Sequence, residues 1–349
     1  MVCYTSTIVG CPGNDDLSFV FGVAPPAAGK PPLGTIVFFS GDGGDVAENG
    51  TDQNNLLTVY INDGFQLVEI AWGSPTAIDW EFTNVSGGGN PYSILAAACR
   101  PATFLNWVRN SNSGVGNGIW SNYGKGMCAQ GHSAGSAALA YALAWYNAGS
   151  ATLANGSGYL DKATFTSGPV FSDIKQGCEV INNQTTTICG SPGQVGCVGW
   201  TGQQPRSLEY VTGYKSEVNE WSGNYAPISC ANNVQGTSSS QNANWFQQSI
   251  LYNGGTQQPS FNYPKTTISA WLCDTVKTGV QSNNAPSQGQ LYWAEFTSLS
   301  QAGNSLSVNA VENCPETEDV IGGTLEVNPS ESGQTAIDQD MTAECVSKR

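Results

Sequence analysis

The chain has 349 residues, enough for one large α/β domain with insertions or for two small domains. Only 11% of the residues are charged, against about a quarter in an average protein, and the formal net charge is −15. This charge argues against binding to nucleic acid or to anionic membrane surfaces, both of which repel a negative protein.

The first half of the chain alternates predicted strands with predicted helices. The predicted strands are 17–24, 34–39, 65–72 and 126–131. Residues 34–39 form a continuous apolar run, which is typical of a strand buried on both faces. Helical spacing covers residues 93–108, where Pro101 predicts either a kink or a break between two helices. A second helix is predicted over 134–148, and Gly149 ends it.

The second half contains a long interruption of this pattern. After a strand at 162–167, residues 174–263 lose periodicity and carry four cysteines, which predicts a disulfide-rich insertion or lid. The pattern then resumes with a strand at 266–273, a helix near 288–299, a strand at 305–312 and a final helix from about 330 to 344. Strands that alternate with helices predict one α/β domain over 1–349, with a mostly parallel sheet flanked by helices.

The cysteines and the potential glycosylation sites predict a secreted protein. The chain has 11 cysteines and one histidine, without a C-x-x-C pair or zinc-finger spacing, so a disulfide framework with one remaining thiol is expected. Asn-x-Ser/Thr sequons support secretion and occur at Asn49, Asn84, Asn155 and Asn183. No apolar run reaches the roughly 18 residues of a membrane span.

Acidic residues are concentrated near the C-terminus. Between Glu312 and Arg349 there are nine acidic residues, and only the last two residues of the chain are basic. We interpret 321–349 as an acidic C-terminal segment that forms a solvated tail and a solvated helix face.

A nucleophile elbow is predicted where the strand 126–131 meets the helix at 134. The sequence Gly131-His132-Ser133-Ala134-Gly135 matches G-x-S-x-G, with a strand before it and a long helix after it. Glycines are needed at both ends because the chain turns sharply and a Cβ at either position would clash. The turn would lift the serine oxygen clear of the sheet at the helix N-terminus.

With this motif in this context, the chain resembles the α/β-hydrolase superfamily, in particular secreted lipases and esterases. The resemblance implies an α/β-hydrolase fold and an oxyanion hole made by the amide of Ala134 and by an amide of the Gly-rich loop after an early strand. Here that loop begins at Ser40, and Gly41 or Asp42 would be the donor. An ordinary Gly-rich turn is the alternative interpretation of this loop.

The resemblance also implies a triad in the chain order serine, acid, histidine. Asp274, at the end of the strand 266–273, is the expected acid, and Asp173 is the competing candidate. Cys273 and Cys314 would then lie on neighbouring strand ends, where a disulfide between them would brace the active-site loops.

The histidine of that triad is missing. The loop after the last core strand, residues 313–319, contains no histidine, and Glu316 or a near neighbour occupies the expected place of the base. The only histidine is His132, which is adjacent to the nucleophile in a strand-to-helix turn and therefore cannot reach round to it. We expect His132 to pack or hydrogen-bond locally.

Two main hypotheses of function follow. The first is a serine hydrolase that acts on small-molecule or polymeric esters through Ser133 and is inactive or impaired. The second is a non-catalytic binding or scaffold protein built on a hydrolase fold. A third is an assembly subunit joined through the odd cysteine, and the oligomeric state stays open. No cofactor is expected, because the sequence contains no phosphate-binding loop, dinucleotide fingerprint or calcium loop.

Overall fold

The protein is described here by a computed structural model. It describes residues 2–7, 18–41, 51–71, 94–110, 126–148, 160–169, 172, 249–251, 259–273, 292–293, 296, 306–314, 320–325 and 328–346. The predicted insertion at 174–263 lies almost entirely outside these residues, so it stays a prediction. No helix in the described ranges is long and apolar enough to cross a membrane.

Within the described residues, one nine-stranded sheet forms the centre of the molecule, in the order β1-β2-β4-β3-β5-β6-β7-β8-β9. Its strands are β1 (Val2–Thr7), β2 (Ser18–Ala24), β3 (Gly34–Phe39), β4 (Phe65–Ala71), β5 (Gly126–His132), β6 (Lys162–Thr166), β7 (Thr267–Cys273), β8 (Leu306–Glu312) and β9 (Thr324–Leu325). Strands β3 to β8 pair in parallel, and antiparallel pairing is confined to β1, β2 and β9 at the two edges.

Four helices cover the two faces of the sheet in the described part of the chain. They are α1 (Thr51–Asp63), α2 (Ile94–Asn110), α3 (Ala134–Ala144) and α4 (Gly333–Val346). Helices α2 and α3 share one apolar core with the sheet, and α1 and α4 share the other. The predicted fold class, a mostly parallel α/β sheet flanked by helices, is therefore confirmed.

The predicted strands agree closely with the structure, whereas the helix predicted over 134–148 ends earlier, at Ala144. All seven predicted strands are present within one or two residues of their expected bounds. Pro101 lies inside a continuous α2, so of the two alternatives at this position the break between two helices is wrong. Only fragments of the helix predicted near 288–299 are described, and they are helical at 292–293 and at 296.

Three elements were not predicted: strand β1, helix α1 and the two-residue strand β9. Strand β1 joins the sheet only through its pairing with β2. Helix α1 has the sequence TDQNNLLTVYIND, in which Leu56, Leu57 and Tyr60 are buried among mostly polar neighbours. The spacing of these three residues was the available signal, since positions three and four apart share one helix face.

The acidic C-terminal segment is not simply solvated, and this corrects our interpretation. Helix α4 packs its buried residues onto the sheet, and Cys345 forms a disulfide with Cys128 in β5. The fully buried Lys162 forms an ion pair with Asp340 at 2.7 Å. Burial and the neighbouring Asp63 of α1 raise the pKa of Asp338 from 3.8 to about 6. Some acidic residues of α4 therefore lie where this helix packs against the sheet and against α1.

Candidate active site

Ser133 occupies the turn between the C-terminal end of β5 and the start of α3, as predicted for a nucleophile elbow. Its backbone has φ 53° and ψ −109°, a conformation that non-glycine residues rarely adopt. The Ser133 amide donates to the Thr166 carbonyl of β6 at 2.7 Å, and its carbonyl accepts from the Ser136 amide at 3.1 Å. The side chain of Ser133 does not cap α3. Surrounding hydrogen bonds thus hold the strained serine in place.

The two glycines of the motif are required by close backbone approach. A Cβ on Gly131 would lie 2.6 Å from both the Gly135 carbonyl carbon and the Ser136 Cα. A Cβ on Gly135 would lie 2.5 Å from the carbonyl carbon of Phe39 at the end of β3. Both distances are shorter than any real Cβ contact. The first turn of α3 therefore rests directly on the end of β3.

The predicted oxyanion loop begins beside this turn. A Cβ built on Gly41 would lie 3.0 Å from Cδ2 of His132 and 3.2 Å from Cβ of Ser133, so the Gly41 backbone borders the nucleophile. Ala134, the other predicted donor, is the first residue of α3. Asp42 lies outside the described residues. The donor roles themselves stay predictions, although the structure brings Gly41, Ser133 and Ala134 together.

The segment after β6 forms the opposite wall of the elbow, and we did not predict it from the sequence. Ser167 has φ 57°, and the peptide bond between Gly168 and Pro169 is cis. A Cβ on Gly168 would lie 2.6 Å from Cβ of Ser136 and 2.9 Å from the Ser133 carbonyl oxygen. Its own carbonyl accepts a hydrogen bond from the indole of Trp293 at 3.0 Å. The Ser167-Gly168 pair offered a turn signal, but its position depends on tertiary contacts.

The carboxyl ends of β7 and β8 are linked by the expected disulfide. Cys273, the last residue of β7, is bonded to Cys314, two residues after the end of β8. Asp274 follows Cys273 directly in the sequence, and Glu316 follows Cys314 by two residues. Asp274, Glu316 and the competing Asp173 all lie outside the described residues, so their roles as acid and base stay predictions.

The sole histidine is buried and lies beside Thr166 of β6. His132 is 4% exposed, and its Nδ1 lies 3.1 Å from Oγ1 of Thr166 in β6. Side chains alternate along a strand, so His132 shares a face with Cys128, which lies in the core below α1 and α4. Helix α3 covers the other face. The expected local role of His132 agrees with this geometry.

Burial lowers the pKa of His132 from 6.5 to about 4. Between these two values the unfolded chain binds more protons than the folded chain, so folded stability is lost as the pH falls. The shift corresponds to about 3 kcal/mol of unfolding free energy lost between pH 6.5 and pH 4. We predict that His132→Asn removes this loss, measured as the difference between wild-type and variant urea unfolding across this pH range.

Asp338 changes the folded stability with pH in the opposite direction to His132. Its contribution must therefore be separated from that of His132. The raised pKa of Asp338 makes the folded chain bind more protons between pH 3.8 and about 6, so this contribution to stability grows as the pH falls. Asp338 is present in both the wild type and His132→Asn, so its contribution cancels in their difference. A wild-type-minus-variant difference that does not change with pH would show that His132 is not buried in its neutral form.

No set of three His, Cys, Asp or Glu side chains in the described ranges is grouped so that it could hold a metal ion.

Two comparisons use the sequence alone. No protein-family model matches this sequence, and no curated protein is significantly similar to it.

Solved structures resemble this chain in fold. Carboxyl esterase 2 from the mycorrhizal fungus Tuber melanosporum aligns with a TM-score of 0.50 at 10% identity, over 99% of this chain and 87% of the esterase. The acylaminoacyl peptidase of Pyrococcus horikoshii aligns with a TM-score of 0.50 at 11% identity, over all of this chain. This chain spans only 42% of that peptidase. The strand order, the flanking helices and these similarities together show that the chain has an α/β-hydrolase fold.

Proposed function

We propose that this chain is a secreted serine hydrolase of the carboxylesterase or lipase type that uses Ser133 as its nucleophile. The observation that carries the proposal is the backbone of Ser133, held at φ 53° between β5 and α3 with the Gly41 loop beside it. Strain of this kind at a serine is retained where the surrounding structure stabilises it, and it is concentrated at active sites. The substrate would be a small-molecule or polymeric ester.

The structural neighbours support the same reaction class at a general level. One is named as a carboxyl esterase and the other as an acylaminoacyl peptidase. Both names describe proteins that act on acyl compounds. At 10–11% identity these names support a hydrolase origin for this chain and do not indicate a substrate. The disulfides at Cys128–Cys345 and Cys273–Cys314 support secretion, because such bonds persist in oxidising compartments.

Turnover by this hydrolase would be impaired because the general base is missing. Loss of a triad base costs about 10⁶ in kcat, or about 8 kcal/mol, and leaves about 10³–10⁴ over water from binding and the oxyanion hole. An ordinary glutamate, with a pKa of about 4.3, is a poor base near neutrality. Glu316 could act only if it shared a proton with Asp274 and thereby gained a raised pKa.

A non-catalytic binding or scaffold role is the second candidate. The specific observation in its favour is the engagement of His132, the only histidine, with Thr166. The imidazole is buried and contacts the oxyanion loop rather than standing free as a base. A cleft that keeps its shape without a base would bind an ester without hydrolysing it.

The experiment that separates the candidates is intact mass spectrometry after incubation with a fluorophosphonate. For a hydrolase with an activated nucleophile we expect a single adduct on Ser133, absent from the Ser133→Ala control. For the impaired form we expect no adduct in the unmodified chain but a clear adduct in Glu316→His, because the added imidazole restores a base at the expected position.

Absence of an adduct in both proteins would contradict the hydrolase proposal, provided that both have the circular dichroism and thermal transition of the unmodified chain. An adduct at another serine or at a tyrosine would contradict it as well, because the strained elbow would then confer no reactivity on Ser133.

A further inference from the structure

The proton on His132 can be assigned from the hydrogen bonds around Thr166. The Thr166 hydroxyl donates to the Gly131 carbonyl at 3.1 Å. A hydroxyl has one proton, so if Thr166 gives it to Gly131, its contact with Nδ1 of His132 at 3.1 Å is one in which the ring donates. That arrangement requires the imidazole tautomer protonated at Nδ1. The reverse assignment would leave two acceptor oxygens facing each other at 3.1 Å without a proton between them.

Thr166 connects this ring to the backbone of the nucleophile and to the residue two positions before it. Its hydroxyl binds the carbonyl of Gly131, two residues before Ser133. Its carbonyl accepts from the amide of Ser133 itself at 2.7 Å. The hydroxyl of Ser136 lies within hydrogen-bond distance of the same two carbonyls, at 2.7 Å from Gly131 and 3.0 Å from Thr166. The side chains of residues 132, 136 and 166 thus form one buried network around the elbow.

The ring also borders the predicted oxyanion loop. The nearest atom to a Cβ built on Gly41 is Cδ2 of His132, at 3.0 Å, and the His132 carbonyl oxygen lies 3.3 Å from it. The Gly41 backbone therefore lies beside the imidazole as well as beside Ser133. A shift of this ring would displace the loop whose amide we expect to bind the oxyanion.

We propose that His132 is a positioning residue, whose neutral Nδ1–H imidazole fixes Thr166 on one side and supports the Gly41 oxyanion loop on the other. The expected effect of His132 on reactivity rests on the proposed function of Ser133. The geometry around His132 does not depend on that function. In this role the only histidine of the chain shapes the site without exchanging a proton with substrate. Burial lowers the pKa of His132 to about 4, so the ring is neutral near pH 7.

Because the chain has one histidine, the tautomer can be measured directly. Protein labelled with ¹⁵N-histidine should give one imidazole spin system, with Nδ1 protonated, Nε2 unprotonated and no titration between pH 5 and pH 8. Thr166→Val should shift the Nδ1–H proton signal, and Thr166→Ser should leave it nearly unchanged. An Nε2–H tautomer, or a ring that titrates near pH 6.5, would overturn the proposal.

The contact with the oxyanion loop can be tested by a double-mutant cycle that needs no activity. Gly41→Ala places a methyl against the ring, so it should lower the melting temperature in the wild-type background. In a His132→Ala background the same change should lower it distinctly less. Equal effects in the two backgrounds would show that the ring does not support Gly41.

The chemical consequence is measured as the rate of Ser133 phosphonylation. His132→Leu should slow labelling by about tenfold or more through loss of one hydrogen bond and of loop support. His132→Asn, which keeps a donor near the position of Nδ1, should recover most of the rate. Equal rates for the two variants would contradict the positioning role. If the unmodified chain does not label, the same comparison is made in the Glu316→His background. If neither protein labels, the proposed function fails, while the spectroscopic test and the double-mutant cycle still decide the position of the ring.

Discussion

Replacement of both Cys128 and Cys345 by alanine should lower the free energy of unfolding by about 5 kcal/mol. The disulfide joins residues 217 positions apart, and the chain-entropy relation for a loop of this length gives about 5 kcal/mol at 25 °C. With an unfolding entropy of about 2.1 cal/mol/K per residue, this corresponds to a decrease in melting temperature of about 7 °C. Differential scanning calorimetry of the oxidised wild type and the double variant measures it.

The position of this disulfide explains why its loss should affect the whole fold. It ties the middle of the central strand β5 to the end of α4. A Cβ on Gly126 would meet the Cys345 carbonyl carbon at 3.0 Å, so α4 lies directly on the start of β5. The ion pair of Lys162 with Asp340 and the hydrogen bond from Thr267 to Glu344 fasten the same helix to β6 and β7.

The other described disulfide is the matched control. Cys273 and Cys314 are 41 positions apart, for which the same relation gives about 4 kcal/mol. We therefore expect the Cys273→Ala and Cys314→Ala pair to destabilise the chain less than the Cys128 and Cys345 pair. A larger loss for the shorter loop would show that native-state packing, rather than restriction of the unfolded chain, determines the effect of each bond.

Gly135→Ala should prevent the chain from folding to its native state. On helix propensity alone this change should stabilise α3 by about 1 kcal/mol, because alanine is the better helix former. The added Cβ, however, would lie 2.5 Å from the Phe39 carbonyl carbon and 2.6 Å from the Ser40 carbonyl oxygen. Two backbone segments would have to separate, which we expect to cost more than about 4 kcal/mol.

A loss of stability in Gly135→Ala would indicate the clash with β3, whereas a gain would indicate that helix propensity dominates. A second variant in the same helix gives the reference for the size of the effect. Ala138→Gly removes one buried methyl from α3 and should cost only about 1–2 kcal/mol. Both variants can be compared by soluble yield and by chemical unfolding. A Gly135→Ala protein at least as stable as the wild type would mean that α3 does not rest on the end of β3.

The elements of the sheet could be predicted because burial leaves a pattern in the sequence. Strand β3, GTIVFF, is buried at every position, and its run of apolar residues is continuous. Strands β5 and β7 are equally buried. Where burial is partial the pattern weakens. Helix α1 was missed for this reason, since its three buried residues stand among Asn, Gln, Thr and Asp.

The candidate site likewise contains residues that the sequence could predict and residues that it could not. The G-x-S-x-G motif was sufficient to predict the elbow, because the backbone geometry that lifts a serine at a strand-to-helix turn tolerates only glycine at residues 131 and 135. Neither Thr166 nor Ser136 was predicted. A threonine in a strand and a serine in the first turn of a helix carry no local signal of the network that they form.

The sequence by itself therefore determined the strands β2 to β8 and the helices α2, α3 and α4, the place of Ser133 and the absence of a second histidine. Each of these depends on local patterns of burial or on backbone rules that act over a few residues. Only the tertiary structure decided that Gly41 lies beside His132, that Cys128 is bonded to Cys345 and that α4 packs on the sheet. These contacts join residues tens to hundreds of positions apart, so they depend on how the parallel strands are ordered and on which face each helix covers.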